Sequence, residues 1–364
     1  MTDAPETRTL ELGLDTFGDV TAGPDGAALP PAQVIRDVVE EAVLADEMGL
    51  SAFGVGERHR EDFAVSAPEI VLAAIAARTR RIKLASAVTV LSSDDPIRVF
   101  QRFSTLDAVS NGRAEVILGR GSFTESFPLF GHQLDEYETL ATEKLDLFAA
   151  VRSGAPVTWR GSHRAPLRDQ RVSPPVEHGT LKTWLGVGGS PESIVRAARY
   201  ELPLMLAIIG GAPSRFKPYV ELYGRACAEL GHAAREIGVH SPGHVGKTDA
   251  EAREIFWPAY RAMHDRIGAG RGWPPLTRDA FEREIAHGSL YVGAPETVAR
   301  KIAGSAAALG LTRFALKYSA GPLAHDAMMR CIGLYASEVA PRVQELLAAR
   351  QAEGDAREPA RRAS

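Results

Sequence analysis

The chain has 364 residues, 45% of them hydrophobic and 24% charged, with a formal net charge of −4 and a pI near 6.2. That size buries a core without a metal or disulfide staple. The two cysteines, Cys227 and Cys331, lie far apart with no CxxC spacing, which suits a reducing cytoplasm. There is no basic stripe for a nucleic acid, and no apolar run reaches the roughly 18 residues of a membrane span. The polar start lacks the basic and apolar regions of a signal peptide.

Short apolar runs alternate with longer amphipathic ones. Residues 10–17 alternate like a strand, and 31–48 carry a helical stripe opened by Pro30-Pro31 and stopped by Gly49. A short strand at 52–56, a helix at 68–78, a strand at 82–91 and a helix at 96–109 follow. Next come a strand at 114–119 and a long helix at 134–151. The second half repeats the pattern, with strands at 183–187, 204–209, 237–245 and 313–318. Its helices are at 191–200, 213–230, 250–264, 295–309 and 325–347.

About eight βα units imply parallel pairing and an α/β fold, a (β/α)8 TIM barrel. An open doubly wound sheet has the same alternation, because strand order is not readable from sequence. One domain over 10–347 is expected, between a disordered N-terminus at 1–9 and a flexible tail at 348–364. Extended loops are expected after the fourth strand and around the seventh. Segments 153–181 and 266–293 exceed ordinary loops, and such lengths are usually lids or binding elements.

In a barrel, chemistry sits at the C-terminal ends of the strands. After the fifth strand Gly188-Gly189-Ser190 precedes a helix opened by Pro191. Free N–H groups at that helix start, with the Ser190 and Ser193 hydroxyls, would cradle a phosphate. Arg120, between two glycines after the fourth strand, could supply a bidentate charge. Read alone, Ser190 is a plain N-cap and Arg120 a surface residue; together at neighbouring strand ends they favour an anion site. The G-x-G-x-x-G and Walker spacings are missing.

After the second strand, Glu57-Arg58-His59 combines an acid, a fixed cation and a group that moves protons near neutral pH. A solvated charged loop is the competing reading. His240 and His244 have i, i+4 spacing but fall in a Ser-Pro-Gly loop instead of a helix, so no metal site is expected. There is no G-x-S-x-G elbow. Phe17, Phe63, Phe123 and Trp273 are candidate pocket walls, although core packing is the commoner role.

The stretch 54–122, GVGERHREDF through SSDDP to GRGS, resembles the bacterial-luciferase-like flavin oxidoreductases. The likeness continues through SFPLFG (126–131), VTWRG (157–161), VGGSPES (187–193), LAIIGG (206–211), the stretch at 266–275 and VGAPETVARKI (292–302). The resemblance implies a TIM barrel with an FMN site. It assigns Arg120, Gly189, Ser190 and Ser193 to the phosphate. It places a non-prolyl cis peptide between Ala87 and Val88, under the flavin ring. Those relatives read Glu-His-His after the second strand. Here Arg58 replaces the first histidine, and arginine is no base at pH 7. Proton transfer is therefore carried only to His59, oriented by Glu57, while Arg58 is left for an anionic substrate or the flavin.

The resemblance further implies a two-component monooxygenase. Reduced FMN would come from a separate NAD(P)H:flavin reductase, and O2 would be transferred to a small organic substrate through a C4a-(hydro)peroxyflavin. The barrel and a lid, for which 266–293 is the candidate, would exclude water. A homodimer is expected by analogy. Deazaflavin-dependent hydride transfer, a non-catalytic flavin-binding protein and a heterodimer subunit remain open alternatives.

Overall fold

The chain opens with β1 (Glu11–Thr16), followed by α1 (Pro31–Glu47), β2 (Ala52–Val55) and α2 (Pro68–Arg78). A computed structural model describes residues 9–362, with side chains through residue 353. The ends expected to be loose at 1–8 and 363–364 lie outside the described residues. The third strand, expected over 82–91, is split into β3 (Lys83–Ser86) and β4 (Thr89–Val90). The peptide bond between Ala87 and Val88 is cis and interrupts it. Then come α3 (Pro96–Ser110), β5 (Ala114–Gly119), α4 (Ser126–Leu129) and α5 (Tyr137–Arg152).

The long segment 153–181 carries an antiparallel hairpin, β6 (Val157–Trp159) and β7 (Leu167–Gln170). The main chain of units resumes with β8 (Lys182–Val187), α6 (Pro191–Arg199), β9 (Leu204–Ala207), α7 (Lys217–Glu229) and β10 (Ile237–Val245). His240 and His244 therefore stand on a strand, not in a loop. The second long segment is also largely regular. It contains the end of α8 (Asp249–Ala269), then α9 (Arg278–His287) and β11 (Tyr291–Gly293). The lid expected over 266–293 thus narrows to the turn at 270–277. Phe281 of α9 packs on Phe256, Trp257 and Tyr260 of α8, which explains why these residues fold onto the body.

The last units are α10 (Pro295–Leu309), β12 (Arg313–Lys317), α11 (His325–Leu334) and α12 (Ala340–Arg362). A π-helical turn, Tyr335–Val339, joins the final two helices. The helix continues past Leu347, where the apolar stripe stops, through a stretch of alanine, glutamate and arginine that favours helix. Five helices start on a proline at the first position, Pro31, Pro68, Pro96, Pro191 and Pro295, where a missing N–H costs nothing.

Eight parallel strands pair in the order β1-β2-β3-β5-β8-β9-β10-β12, and β12 pairs back with β1. The open-sheet alternative is excluded by that closure. Leucine, valine and phenylalanine of the outward-facing positions join the helices in one large core.

The inward positions form layers that change in character along the barrel axis. At the base Arg313 is clamped between Glu11 and Glu115, and Trp184 Nε1 donates to Glu115 at 2.9 Å. Above it Ala85, Ile117, Trp184 and Met205 fill the middle. Toward the C-terminal mouth the inward positions turn polar or lose their side chains: Asp15, Gly54, Gly56, Gly119, Gly186, His240 and Lys317. That change in composition leaves room at the mouth.

Candidate functional site

Val88 and two glycines shape the floor of the mouth. A Cβ on Gly119 would lie 2.4 Å from Val88 Cγ2, and one on Gly186 would lie 3.1 Å from Cγ1. A Cβ on Gly56 would meet the Phe17 ring at 2.4 Å and the Ala87 carbonyl at 2.8 Å. Only glycine fits at Gly56 and Gly119 without displacing these neighbours. Ala87 and Val88 thus lie among the ends of β1, β2, β5 and β8.

Glu57 ties this floor to β2. Its Oε2 accepts from Val90 N–H at 2.8 Å, and its Oε1 holds His59 Nε2 at 2.8 Å. Glu57 is buried and the His59 side chain is only 9% exposed. The charged-loop reading of this triplet therefore fails for Glu57. The arrangement is a buried carboxylate orienting an imidazole, which can hold or pass a proton. His59 also meets the edge of Phe130 at 5.1 Å.

Arg58 points elsewhere. Its guanidinium lies 4.0 Å from the Phe17 ring centroid and 5.0 Å from that of Phe123. Its Nη1 donates to the Glu57 carbonyl at 2.8 Å, and its Nε is buried without a hydrogen-bond partner. Burial pulls its pKa down to about 10, against the pull of Asp19 and Glu57, so it remains a cation at neutral pH. Phe17, Phe63 and Phe123 form a chain of edge contacts, with centroids 6.2 and 6.3 Å apart. Trp273 sits outside this chain, against His264.

Two buried pairs beneath Phe17 were not singled out as site residues from the sequence. His240 Nδ1 lies 2.7 Å from Asp15 Oδ2, and the His240 ring stacks on Phe17 at 5.5 Å. Lys317 Nζ donates to both oxygens of Asp19 at 2.8 Å. Burial works against the Asp19 charge, yet Lys317, Ser319 and the Gly321 N–H together hold its carboxyl below the usual range. The signal available in the sequence was period-two alternation. Asp15 and Phe17 share the inward face of one strand run, and His240 lies on the inward face of another.

Of the residues expected at the anion site, Arg120 and Ser193 meet at the other side of the mouth, while Gly188, Gly189 and Ser190 do not line the same recess. Arg120 and Ser193 line one recess, with Gly119, Gly186 and Arg196. Ser190 caps α6, accepting from Ser193 N–H at 3.4 Å, and its hydroxyl donates to Glu192 at 2.6 Å. Gly189 has a φ of +111°, and a Cβ on Gly188 would meet nothing within 4 Å. Arg196 was missed by sequence reasoning. Its i+3 spacing from Ser193 on α6 was the available sign. Both arginines face Glu138, which pairs with Arg120 and lies 3.9 Å from Arg196. A glycine-backed floor, a helix N-terminus and two arginines fit a flat ring with a phosphate tail.

The 270–277 turn reaches across the mouth. Arg271 Nη2 donates to the Ser122 carbonyl at 2.7 Å, and its guanidinium lies 4.4 Å from the Phe123 centroid. Among the described residues no cluster of metal-ligating side chains occurs, and no helix is long and apolar enough to cross a membrane.

Residues 15–313 match the model of a family described as luciferase-like monooxygenase. An uncharacterized protein of Sinorhizobium fredii is 31% identical over 182 residues, 48% of this chain and 50% of its own length. The N-acetyl-S-alkylcysteine monooxygenase of Bacillus subtilis is 31% identical over 180 residues, 48% of this chain and 52% of its own length. The chain thus spans about half the length of these curated relatives. Among solved structures, the monooxygenase RslO1 from Streptomyces bottropensis superposes with a TM-score of 0.79 at 22% identity, covering 91% of this chain and 99% of its own. The oxygenating constituent of 3,6-diketocamphane monooxygenase from Pseudomonas putida, in complex with FMN, gives 0.73 at 19%, covering 92% and 99%. An F420-dependent secondary alcohol dehydrogenase gives 0.72 at 17%, covering 92% and 99%. These likenesses show the shared fold.

Proposed function

The chain belongs to the luciferase-like monooxygenase family, and from that premise we propose that it is an FMN-dependent monooxygenase acting on a small organic substrate with O2. Reduced FMN is delivered by a separate NAD(P)H:flavin reductase. The observation that carries the reading is the shared recess of Arg120 and Ser193, beside the glycine loop at 188–190. A ring that bears a phosphate tail matches that geometry better than a neutral ligand does.

In this reading Arg120, Arg196 and the Ser190 and Ser193 hydroxyls hold the phosphate, and Gly188 and Gly189 let the backbone approach it. Ala87 and Val88 support the ring. The bound flavin supplies the redox chemistry and activates oxygen. Glu57 fixes the His59 ring through Nε2, and the ring moves a proton at Nδ1 in the substrate step. Phe17, Phe63 and Phe123 keep water from the reacting face, and the Arg271 turn covers it.

The test is FMN binding by fluorescence quenching, in both redox states, for the wild type and Arg120→Ala. Reduced FMN is expected to bind in the micromolar range, with a loss of roughly tenfold or more in the variant, the effect of removing a charge-assisted contact. Binding of a deazaflavin in place of FMN, or no effect of Arg120→Ala, would overturn the proposal.

A further inference from the structure

Two guanidinium groups at the mouth have no carboxylate partner among the described residues. One is Arg58, at the end of β2. The other is Arg271, on the turn that crosses the mouth. Both stack near Phe123, at 5.0 and 4.4 Å, and Arg58 lies closer still to Phe17, at 4.0 Å. Their hydrogen bonds to protein go to the carbonyls of Glu57 and Ser122.

The carboxylates whose field reaches Arg58 each hold another partner. Asp19 holds Lys317 and Ser319. Glu57 holds His59 and the Val90 N–H. Glu125 holds Arg60 through Oε1 alone, and Arg60 also pairs with Asp62; Glu125 Oε2 is buried without a partner, yet it makes no ion pair with Arg58. Arg58 Nε is buried with nothing to donate to. Two like charges beside one aromatic ring raise each other's energy, and a guanidinium N–H buried without an acceptor, as at Arg58 Nε, forfeits a hydrogen bond. An anion placed between them removes both penalties. The flavin's phosphate is not that anion in the reading above, since it takes the recess of Arg120 and Ser193.

We infer that Arg58 and Arg271 anchor the carboxylate of the substrate, a small organic acid whose apolar body lies on Phe17 and Phe123. Arg58 is the inner, half-buried jaw, and it accepts the carboxylate in the fork geometry that lysine lacks. Arg271 is the outer, exposed jaw, carried on the turn that crosses the mouth. The inference rests on the proposed flavin reading for its place in a reaction, but not for the binding itself.

The test compares acids with their neutral isosteres: phenylacetate with phenylacetamide, and N-acetylmethionine with its amide. Calorimetry is run with and without FMN on the wild type, Arg58→Met, Arg58→Lys and Arg271→Met. At least one acid is expected to bind with a Kd of about 1 mM or tighter, and its amide at least about tenfold more weakly. Arg58→Met loses about tenfold in acid affinity, Arg271→Met about threefold, and Arg58→Lys recovers part of the loss. FMN affinity stays within about twofold in all three. Circular dichroism checks that Arg58→Met folds, and the lysine variant reads the anchor if it does not. Equal binding of acid and amide overturns the inference. So does the absence of acid binding at about 10 mM, or a loss of FMN affinity in Arg58→Met that matches the loss of acid affinity, which would give the arginine to the flavin. If FMN fails to bind while acid binding still depends on Arg58, the flavin reading falls and the anchor stands.

Discussion

Arg120 pairs with Glu138, and the other oxygen of that carboxylate lies 3.9 Å from Arg196. The two cations proposed to hold a phosphate are thus already facing one acid. Glu138 is 62% exposed, so the contact is a surface pair of small worth. Glu138→Gln is expected to tighten FMN binding about two- to fivefold at low ionic strength, because it removes the competing charge. The gain should shrink as salt is raised. Fluorescence titration at two salt concentrations measures it, and weaker binding in the variant would show that Glu138 positions the arginines.

Glu57 is a structural bridge as well as a proposed orienter of His59. In Glu57→Ala the buried Val90 N–H loses its acceptor. The expected cost is about 1–3 kcal/mol, the desolvation penalty of an unsatisfied donor. Glu57→Gln keeps one oxygen for Val90 and should lose less than about 1 kcal/mol. Urea unfolding followed by tryptophan fluorescence separates the two. Equal stability of wild type and alanine variant would contradict the bridge.

At the base of the barrel, Arg313 donates to Glu115 through both Nη atoms. Removing the acid in Glu115→Ala leaves a buried cation with only Glu11, and should cost about 3–5 kcal/mol. The double variant Glu115→Leu, Arg313→Met should recover most of that, since the cost comes from the orphaned charge and not from the missing pair. Denaturant midpoints at unchanged m-value test both statements.

His244 gives acid sensitivity a specific origin. It is buried against Phe256, its Nδ1 has no partner, and burial depresses its pKa to about 4. The unfolded chain takes up this proton near pH 6.5, whereas the folded one resists until about 4. Stability is therefore lost as pH falls through that window, by about 3 kcal/mol from this group. His244→Phe keeps the stack and removes the titration. Its unfolding free energy should fall less than the wild type's between pH 6.5 and 4, measured by urea midpoints. Parallel pH profiles would count against this origin.

Much of the frame was legible because burial writes a period into the chain. All eight barrel strands and their helices follow from apolar runs and proline starts such as Pro68 and Pro191. Closure was not legible, since β1 meeting β12 depends on residues some 300 positions apart. The interruption at Ala87 and Val88 left no mark in the periodicity, and the resemblance alone placed it. The lid was drawn too long because residues 278–287 look polar, although Phe281 and Ile285 bury one face. His240 was read by its spacing from His244 instead of by its own strand face. That choice hid the contact with Asp15, which lies 225 residues away.

Val88 fills a socket left by the two missing side chains at Gly119 and Gly186. One position at the break between β3 and β4 and two on separate strands therefore behave as one unit of inheritance. A methyl group gained at Gly119 is tolerable only if a branch is given up at Val88, so single substitutions explore almost nothing here. Any redesign of this floor that adds a side chain at Gly119, in nature or in a library, has to move through a paired exchange with Val88.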